Sequence, residues 1–264
     1  MMRDKTPERQ HSGAVFTCSV DDGHPSDLRT AELLEKHGFS GTFFIPVRNR
    51  EDTRMLTPMQ IRQLGKRFEI GSHTFDHCYL NYVDVREAYY QIAESKRRLE
   101  DLTGSAITGF CYPGGRYTER DIRLVRACGY AYARTTMNLC FETGHDPFRL
   151  PTTIQFFPHG RDVYMRNFAA AGHWLRRQYG LWSALSEADW LRRLYALFDH
   201  ACDSGSGKVF HLWWHSKQVD ELDAWRALDA FFDYAAARVP AENRLSNAQL
   251  AERAFYRGLV TAAA

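Results

Sequence analysis

The chain has 264 residues, of which 44% are hydrophobic and 25% are charged, as is typical of a globular enzyme. Its 34 basic and 32 acidic residues give a net charge of +2, so charge provides no argument for a nucleic-acid or membrane-surface partner. No apolar run approaches the length of a membrane span, and we therefore expect no membrane insertion.

Apolar runs and amphipathic stretches alternate along the chain. From the N-terminus, this alternation predicts a strand over residues 14–20, a helix over 27–38, a strand over 41–46, a helix starting at Thr57-Pro58, a strand over 68–73 and a helix over 84–103. A strand over 107–112, a helix over 119–128 and a strand over 130–135 follow. Beyond a loop-rich segment at 136–160, we predict helices over 162–178 and 187–203, a strand over 208–216 and a helix over 219–237.

This order of strands and helices predicts an α/β fold with a mostly parallel sheet. About seven strand–helix units in a chain of this length fit a TIM-type barrel, closed or incomplete. No linker, repeat or low-complexity segment is visible, so residues 1–264 are expected to form a single domain. In such a barrel, functional side chains gather where the strands end.

Chemically active residues follow four of the predicted strands. They are Asp21-Asp22-Gly23 after the first strand, His73 and His77 after the third, Cys111-Tyr112-Pro113-Gly114-Gly115 after the fourth, and His211 and His215 in the late strand. Each group alone is more often a turn or a surface feature. Their joint occurrence at strand ends predicts a common site.

The two adjacent carboxylates of Asp21 and Asp22 repel each other unless a positive charge lies between them. His73 and His77 are four residues apart, and a helical turn there would place both rings on one face. Two imidazoles and one aspartate would complete a triad for a divalent cation, with open positions for water. The second aspartate would then remain beside the cation as a base, and Gly23 would allow the chain to bend.

The segments SVDDG, SHTFDH, FCYPGG and HLWWHS, in this order, resemble the motifs of the polysaccharide deacetylase family, also known as the NodB-homology or carbohydrate esterase family 4 group. The resemblance extends over roughly residues 14 to 216. It implies a distorted (β/α) barrel and a metal-dependent hydrolase. The implied reaction removes an N-acetyl group from an amino sugar within a mono-, oligo- or polysaccharide and releases acetate.

Carried over position by position, the resemblance implies that Asp21 is the catalytic base. Asp22, His73 and His77 would hold one divalent metal ion, for which we expect zinc, with cobalt, nickel or iron as alternatives. The family motif that contains Gly114 implies that its backbone N–H stabilises the oxyanion.

The same resemblance implies that Tyr112 lies beside Gly114 at the substrate and that His215 is the general acid. His211 is the alternative acid, because both histidines lie on one face of the late strand. We favour His215, since it lies nearer the strand end. His211 is then expected to be a packed, hydrogen-bonded core residue.

The sequence departs from the family pattern at Cys111, where the family has an arginine that orients the base. A thiol cannot form a charge-assisted pair with a carboxylate. Arg116, Arg134 or Arg149 could substitute, and we rank Arg149 first because it follows the loop of the fifth strand. The motif that supports the acid histidine is also not found, since Asp189-Trp190 matches in letters but falls in a predicted helix.

Two other functions remain open. The first is an amidohydrolase that acts on a small non-sugar amide, imide or ureide, and the second is a sugar-binding protein with an impaired site. The N-terminus lacks the apolar stretch of a secretory signal, and the six cysteines have no CxxC spacing. We therefore expect a cytoplasmic location and reduced thiols, with a trimmed secreted form as the alternative. The oligomeric state stays open.

Overall fold

A computed structural model describes residues 13–50, 54–205 and 207–256. In these residues, parallel strands form one curved sheet, as the alternation predicted. The strands are β1 (Val15–Asp21), β2 (Thr42–Ile45), β3 (Glu69–Ser72), β4 (Gly109–Cys111), β5 (Tyr132–Arg134), β6 (Ile154–Gln155), β7 (Val209–Trp214) and β8 (Arg244–Leu245). Seven of them follow the order β5-β4-β3-β2-β1-β7-β6, and β8 pairs with the beginning of β1.

The two ends of this sheet approach each other and give the distorted barrel that the sequence predicted. Leu150 bridges to Arg134 at the end of β5, and a few residues later β6 pairs with β7. Every residue of β1 is buried, because β1 lies in the middle of the sheet between β2 and β7. Its residues still alternate, because apolar Phe16, Cys18 and Val20 pack in the main core while polar Thr17, Ser19 and Asp21 have buried polar partners.

Helices surround the sheet. They are α1 (Asp27–His37), α2 (Pro58–Leu64), α3 (Val85–Thr103), α4 (Glu119–Ala127), α5 (Arg161–Ala171), α6 (Trp174–Ser186), α7 (Trp190–Asp203), α8 (Ser216–Glu221), α9 (Trp225–Ala236) and α10 (Asn247–Ala251). Local chemistry sets several of their ends. Thr57 and Gln60 form a capping box at the start of α2, and Asp84 accepts two backbone N–H bonds at the start of α3. No helix in the described ranges is both long and apolar enough to cross a membrane.

The predicted helices over 162–178 and 219–237 are each wrong in one respect, because each is two helices. Gly172, with φ 68° and ψ −156°, separates α5 from α6, and that conformation is open to glycine only. Asp223 has a φ of 48° between α8 and α9. The loop-rich segment contains β6, and the sequence did not predict β8 or α10.

The C-terminal segment closes the amino end of the barrel. Asn247 accepts a hydrogen bond from the Thr17 hydroxyl at 2.7 Å, and its backbone N–H donates to the Thr42 hydroxyl at 2.9 Å. The backbone N–H of Ala248 donates to the half-buried carboxylate of Glu69 at 2.9 Å. Three strands of the sheet therefore obtain partners for their buried polar groups from this one segment.

Candidate active site

The site lies at the carboxyl ends of β1, β3, β4, β5 and β7. Asp21 is the last residue of β1 and is almost fully buried, whereas Asp22 has left the strand and is 22% exposed at its side chain. The bend includes Asp22 itself, with a φ of 81°, followed by Gly23 with a φ of 65°. A positive φ is uncommon for a residue other than glycine and marks a site where the surroundings impose the conformation. This bend brings both carboxylates to the same end of the barrel.

Asp22, His73 and His77 converge. The Oδ1 atom of Asp22 lies 3.2 Å from Nε2 of His77 and 3.5 Å from Nε2 of His73. One potential ligand atom from each side chain falls within a 4.8 Å cluster. The Nδ1–H of His73 donates to the Cys111 carbonyl at 2.9 Å, so its Nε2 lone pair faces the carboxylate.

The charge state of this cluster follows from its burial. Burial lowers the pKa of His73 to about 4, so its imidazole is neutral at physiological pH. For Asp22, burial acts in the opposite direction and raises the pKa. The hydrogen bond from His77 and the charges of the neighbouring histidines outweigh this effect and hold the pKa of Asp22 below its usual range. An ionised carboxylate therefore lies beside two imidazoles, each of which can offer a nitrogen lone pair to a metal when neutral, and this donor set fits one divalent cation of the zinc type.

The turn that carries the two histidines is not the helical turn that the spacing suggested. Thr74 and His77 both have positive φ values, 66° and 61°. The side-chain oxygen of Gln91, on α3, accepts hydrogen bonds from the backbone N–H groups of Phe75 and Asp76 at 3.1 Å each. The histidines thus converge through a tight turn that α3 supports, and not through helical periodicity.

Arg134 is the partner of Asp21. Its Nη2 donates to Oδ1 of Asp21, and both side chains are almost fully excluded from solvent. The guanidinium lies 5.3 Å from the ring centroid of Phe44 and 4.9 Å from that of Trp213. Because aromatic rings fix its position and the ion pair is buried, Arg134 can hold the Asp21 carboxylate in one orientation.

Ranking Arg149 first as the base-orienting residue was wrong. Its guanidinium donates to Glu119 on α4 and lies 3.6 Å from Asp146, and its side chain is 38% exposed. Arg149 belongs to a short 3₁₀ turn outside the sheet. Arg134 is the last residue of β5, so the rule that functional groups follow strand ends already favoured it.

Cys111 occupies the position of the family arginine without taking over its role. Its Sγ lies 3.9 Å from Oδ2 of Asp21, a distance that allows only a weak S–H contact. Burial raises the pKa of the Cys111 thiol well above its usual value, so the group stays uncharged. The positive charge beside Asp21 therefore comes from β5 and not from β4.

The glycine turn after β4 has the features expected of an oxyanion site. Gly114 is exposed and has a φ of 59°, and a Cβ atom there would come within 2.8 Å of the Tyr79 ring. Tyr112, by contrast, is fully buried, its hydroxyl donates to the Phe148 carbonyl at 3.1 Å, and its ring stacks on Tyr117. Its side chain is structural, so the predicted contact between Tyr112 and substrate is wrong for the ring.

His215 lies at the other side of the cluster. Its Nε2 is 3.5 Å from Oδ2 of Asp22, and its Nδ1 is 3.0 Å from Oε1 of Gln218. If Nδ1–H donates to Gln218, Nε2 faces the site. Gln218 thus fills the place of the supporting aspartate that the sequence lacks. Asp189 instead caps α7 by accepting from the N–H of Arg192.

His211 is a hydrogen-bonded core residue, as expected. It is buried, its Nδ1–H donates to the Pro151 carbonyl at 3.1 Å, and its Nε2 accepts from the Ser19 hydroxyl at 3.0 Å. Burial, aided by the charge of Arg134, lowers its pKa to about 3.

This depressed pKa predicts acid instability. In the unfolded chain, a histidine begins to bind its proton near pH 6.5, but the folded protein excludes that proton until about pH 3. Lowering the pH from 6.5 to 5 should therefore reduce the free energy of unfolding by about 2 kcal/mol through His211 alone. Urea unfolding of wild type and of His211→Gln at both pH values checks this. The variant should show a smaller loss on acidification, and equal losses would contradict the assignment.

A cleft of about 440 Å³ flanks the glycine turn. Its lining is a mixture of polar and apolar groups from the turn, the end of β5 and α5, namely Gly115, Tyr117, Thr135, Thr136, Met137, Asn138, Asn167, Ala170 and Ala171. The α5 helix therefore forms one wall of the space beside the site.

Comparisons with known proteins agree with these features. A family model described as polysaccharide deacetylase matches residues 8–133, which include Asp21, Asp22, His73, His77 and Gly114. YxkH of Bacillus subtilis (strain 168), a candidate polysaccharide deacetylase, is 27% identical over 133 residues. That match covers 50% of this chain and 48% of YxkH, so the chain matches about half the length of this relative.

Solved structures extend the similarity of fold to nearly the whole chain. A candidate polysaccharide deacetylase from Mycobacterium smegmatis has a TM-score of 0.60 at 16% identity, covering 94% of this chain and 92% of that one. The chitin deacetylase from the fungal pathogen Colletotrichum lindemuthianum has a TM-score of 0.57 at 13% identity, covering 92% and 89%. At these identities, the similarity concerns the fold.

Proposed function

We propose that this chain, whose residues 8–133 match the polysaccharide deacetylase family model, is a metal-dependent hydrolase that removes the N-acetyl group from an amino sugar. The observation that carries this proposal is the convergence of Asp22, His73 and His77 beside a separately paired Asp21. A metal site alone could be structural, but a buried carboxylate held next to it is the arrangement that a general base requires.

Asp22, His73 and His77 would hold the cation. When bound, a cation of this kind supplies positive charge to a carbonyl oxygen and acidifies a nearby water. The residues around the cation carry out the other steps of the reaction. Asp21, oriented by Arg134, accepts a proton from the attacking water as its oxygen adds to the acetyl carbon.

The remaining steps use the two other sides of the site. The backbone N–H of Gly114 donates to the oxygen that becomes negative during the attack. Nε2 of His215 delivers a proton to the amine nitrogen as the C–N bond breaks, because an unprotonated amide nitrogen is a poor leaving group. Gln218 keeps the His215 ring oriented through Nδ1. The products are acetate and a free amino sugar.

The pairing of Arg134 with Asp21 also bears on the alternative functions. A sugar-binding protein with an impaired site was considered because Cys111 replaces the family arginine. Arg134 provides the missing charge, which favours a working base over an impaired one. An amidohydrolase acting on a small non-sugar amide, imide or ureide uses the same groups, and the choice of substrate distinguishes it.

An acetate-release assay tests the proposal. Substrates should include N-acetylglucosamine, its oligomers and a nucleotide-linked form, each with and without a chelator, alongside the metal content per chain. We expect acetate from at least one sugar, loss of activity after chelation, and recovery with zinc or cobalt. Hydrolysis of a cyclic ureide without any acetate would favour the amidohydrolase. Absence of both metal and hydrolysis would favour a binding protein. The cytoplasmic location remains a prediction.

A further inference from the structure

A line of hydrogen bonds runs from His215 away from the metal ligands. We call its four members, His215, Gln218, Gln155 and His159, the glutamine chain. Oε1 of Gln218 lies 3.0 Å from Nδ1 of His215 and 3.1 Å from Nε2 of Gln155. At the far end, Oε1 of Gln155 lies 2.8 Å from Nε2 of His159. Three hydrogen bonds therefore connect the proposed general acid with a second histidine outside the metal cluster.

The backbone holds the members of the glutamine chain in place. Gln155 is the last residue of β6, and Gln218 lies in α8, which begins directly after His215. The carbonyl group of His159 accepts a hydrogen bond from the almost fully buried Arg193 at 2.8 Å. All four members are half-buried, so water competes less for their hydrogen bonds than it would at an exposed site.

An amide in contact with the acid histidine can be oriented in two ways. Its oxygen accepts a hydrogen bond and its NH2 group donates one, and the two ends have nearly the same shape. With the oxygen toward His215, Gln218 accepts from Nδ1–H. With the NH2 group there, Nδ1 would have to present a lone pair. A histidine that is ready to donate a proton carries N–H groups at both nitrogens, so only the first orientation of Gln218 is compatible with the acid.

The orientation of Gln218 is coupled to that of Gln155 and to the proton of His159. When the Gln218 oxygen faces His215, the NH2 group of Gln155 can donate to the same oxygen, and the Gln155 oxygen can then accept from Nε2–H of His159. If His159 instead presents a lone pair at Nε2, both amides reverse and an NH2 group is turned toward His215. Burial and the charge of Arg193 lower the pKa of His159, so its neutral ring carries one proton, whose position selects between the two arrangements.

We propose that His159 and Gln155 are positioning residues for the general acid. His159 carries its proton on Nε2, and Gln155 transmits this choice to Gln218, whose oxygen then faces His215. Both residues lie outside the four segments that resemble the family motifs and beyond the residues matched by the family model. The inference rests on the proposed function, in which His215 protonates the departing amine. It explains how a glutamine, whose amide can turn over, keeps the acid oriented without a carboxylate.

Nuclear magnetic resonance of the zinc-loaded protein at about pH 8.5, where an ordinary histidine is neutral, tests the proton positions directly. Long-range correlation of hydrogen and nitrogen in labelled histidine rings shows which nitrogen carries the proton, and His215→Gln and His159→Leu identify the two sets of signals. For wild type we expect the proton on Nε2 of His159 and on Nδ1 of His215. In His159→Leu and in Gln155→Leu, a form of His215 with its proton on Nε2 should appear. A His159 proton on Nδ1, or unchanged His215 signals in both variants, would overturn the proposal.

Kinetics separate positioning of the acid from a general loss of structure. The leaving group of 4-nitrophenyl acetate departs without a proton, whereas the amide of an N-acetyl sugar needs one. His159→Leu should lower kcat on the sugar about fivefold and leave kcat on the ester within about twofold of wild type. The loss is smaller than the roughly 10²-fold expected for removal of the acid itself, since without His159 the amides still adopt the productive arrangement part of the time.

His200→Leu on α7 is the matched control for the loss of a histidine. Like His159, His200 is half-buried and its ring contacts two aromatic rings, but it lies outside the glutamine chain. Its replacement should leave both the sugar rate and the ester rate within about twofold of wild type.

Gln218→Glu provides the rescue. A carboxylate accepts at both oxygens and has no wrong orientation, so in the Gln218→Glu background His159→Leu should change kcat on the sugar by less than about twofold. The double-mutant cycle compares the effect of His159→Leu within each background, so a change caused by Gln218→Glu itself cancels. An equal loss on sugar and ester, or the same loss in both backgrounds, would contradict the positioning role. If wild type releases no acetate from any sugar, the proposed function fails instead, and the proton positions still test the glutamine chain.

Discussion

Asp21→Asn is expected to lower turnover by about 10³-fold while the protein still binds one metal ion per chain. The amide keeps the size of the carboxyl and can accept from Arg134, but it cannot take a proton from water. The metal ligands Asp22, His73 and His77 are unchanged. Acetate release and metal analysis of the same preparation measure both effects, and circular dichroism checks that the variant is folded.

His77→Ala is the matched comparison, since it removes a ligand and leaves the base. It should lose both bound metal and turnover, because two remaining ligands hold a cation weakly. The two variants together separate base from ligand. Full activity of Asp21→Asn would refute the role given to Asp21, and full metal occupancy of His77→Ala would refute the role given to that histidine.

Arg134→Met should reduce turnover by about 10²-fold or more and destabilise the protein by about 3–5 kcal/mol, because it leaves the buried Asp21 carboxylate without its cation. Methionine retains much of the packing between Phe44 and Trp213. Steady-state kinetics and urea unfolding measure these effects.

Arg149→Met is the control that compares the structure with the ranking based on loop order. Its guanidinium pairs with Glu119 at the surface, so the change should leave kcat within about twofold of wild type. The double variant Arg134→Met/Cys111→Arg then places the positive charge beside Asp21 on β4 instead of β5. Partial recovery of activity in the double variant is expected. A large loss in Arg149→Met with none in Arg134→Met would reverse the assignment.

The sequence could predict the cluster because strand ends are local features. Asp22, His73 and Gly114 each follow an apolar run, and parallel strands bring such positions to one edge whatever their separation in sequence. The same rule applied to β5 leads to Arg134. Arg149 was ranked first because of its place in the order of loops along the chain. That order says little about position in space, because the chain after β5 runs outside the sheet before it returns at Leu150.

Other features depend on contacts that no local pattern encodes. Gln91 and Gln218 support the histidine turn and His215, yet a glutamine on an amphipathic helix looks like any solvent-facing residue in the sequence. The two residues of β8 are a strand only because they pair with β1. The break at Gly172 was visible as a glycine within a helical pattern, but only its dihedral angles show that the helix ends there.

The contacts of Asn247 and Ala248 bear on how the protein is made. Thr17, Thr42 and Glu69 leave the ribosome early, but their partners are synthesised at least 179 residues later. Until then these polar groups must stay hydrated, so the amino end of the barrel cannot become dry. This end of the fold can therefore close only after Ala248 has left the ribosome, and a nascent chain arrested before Arg244 should remain open to proteases at the start of β1.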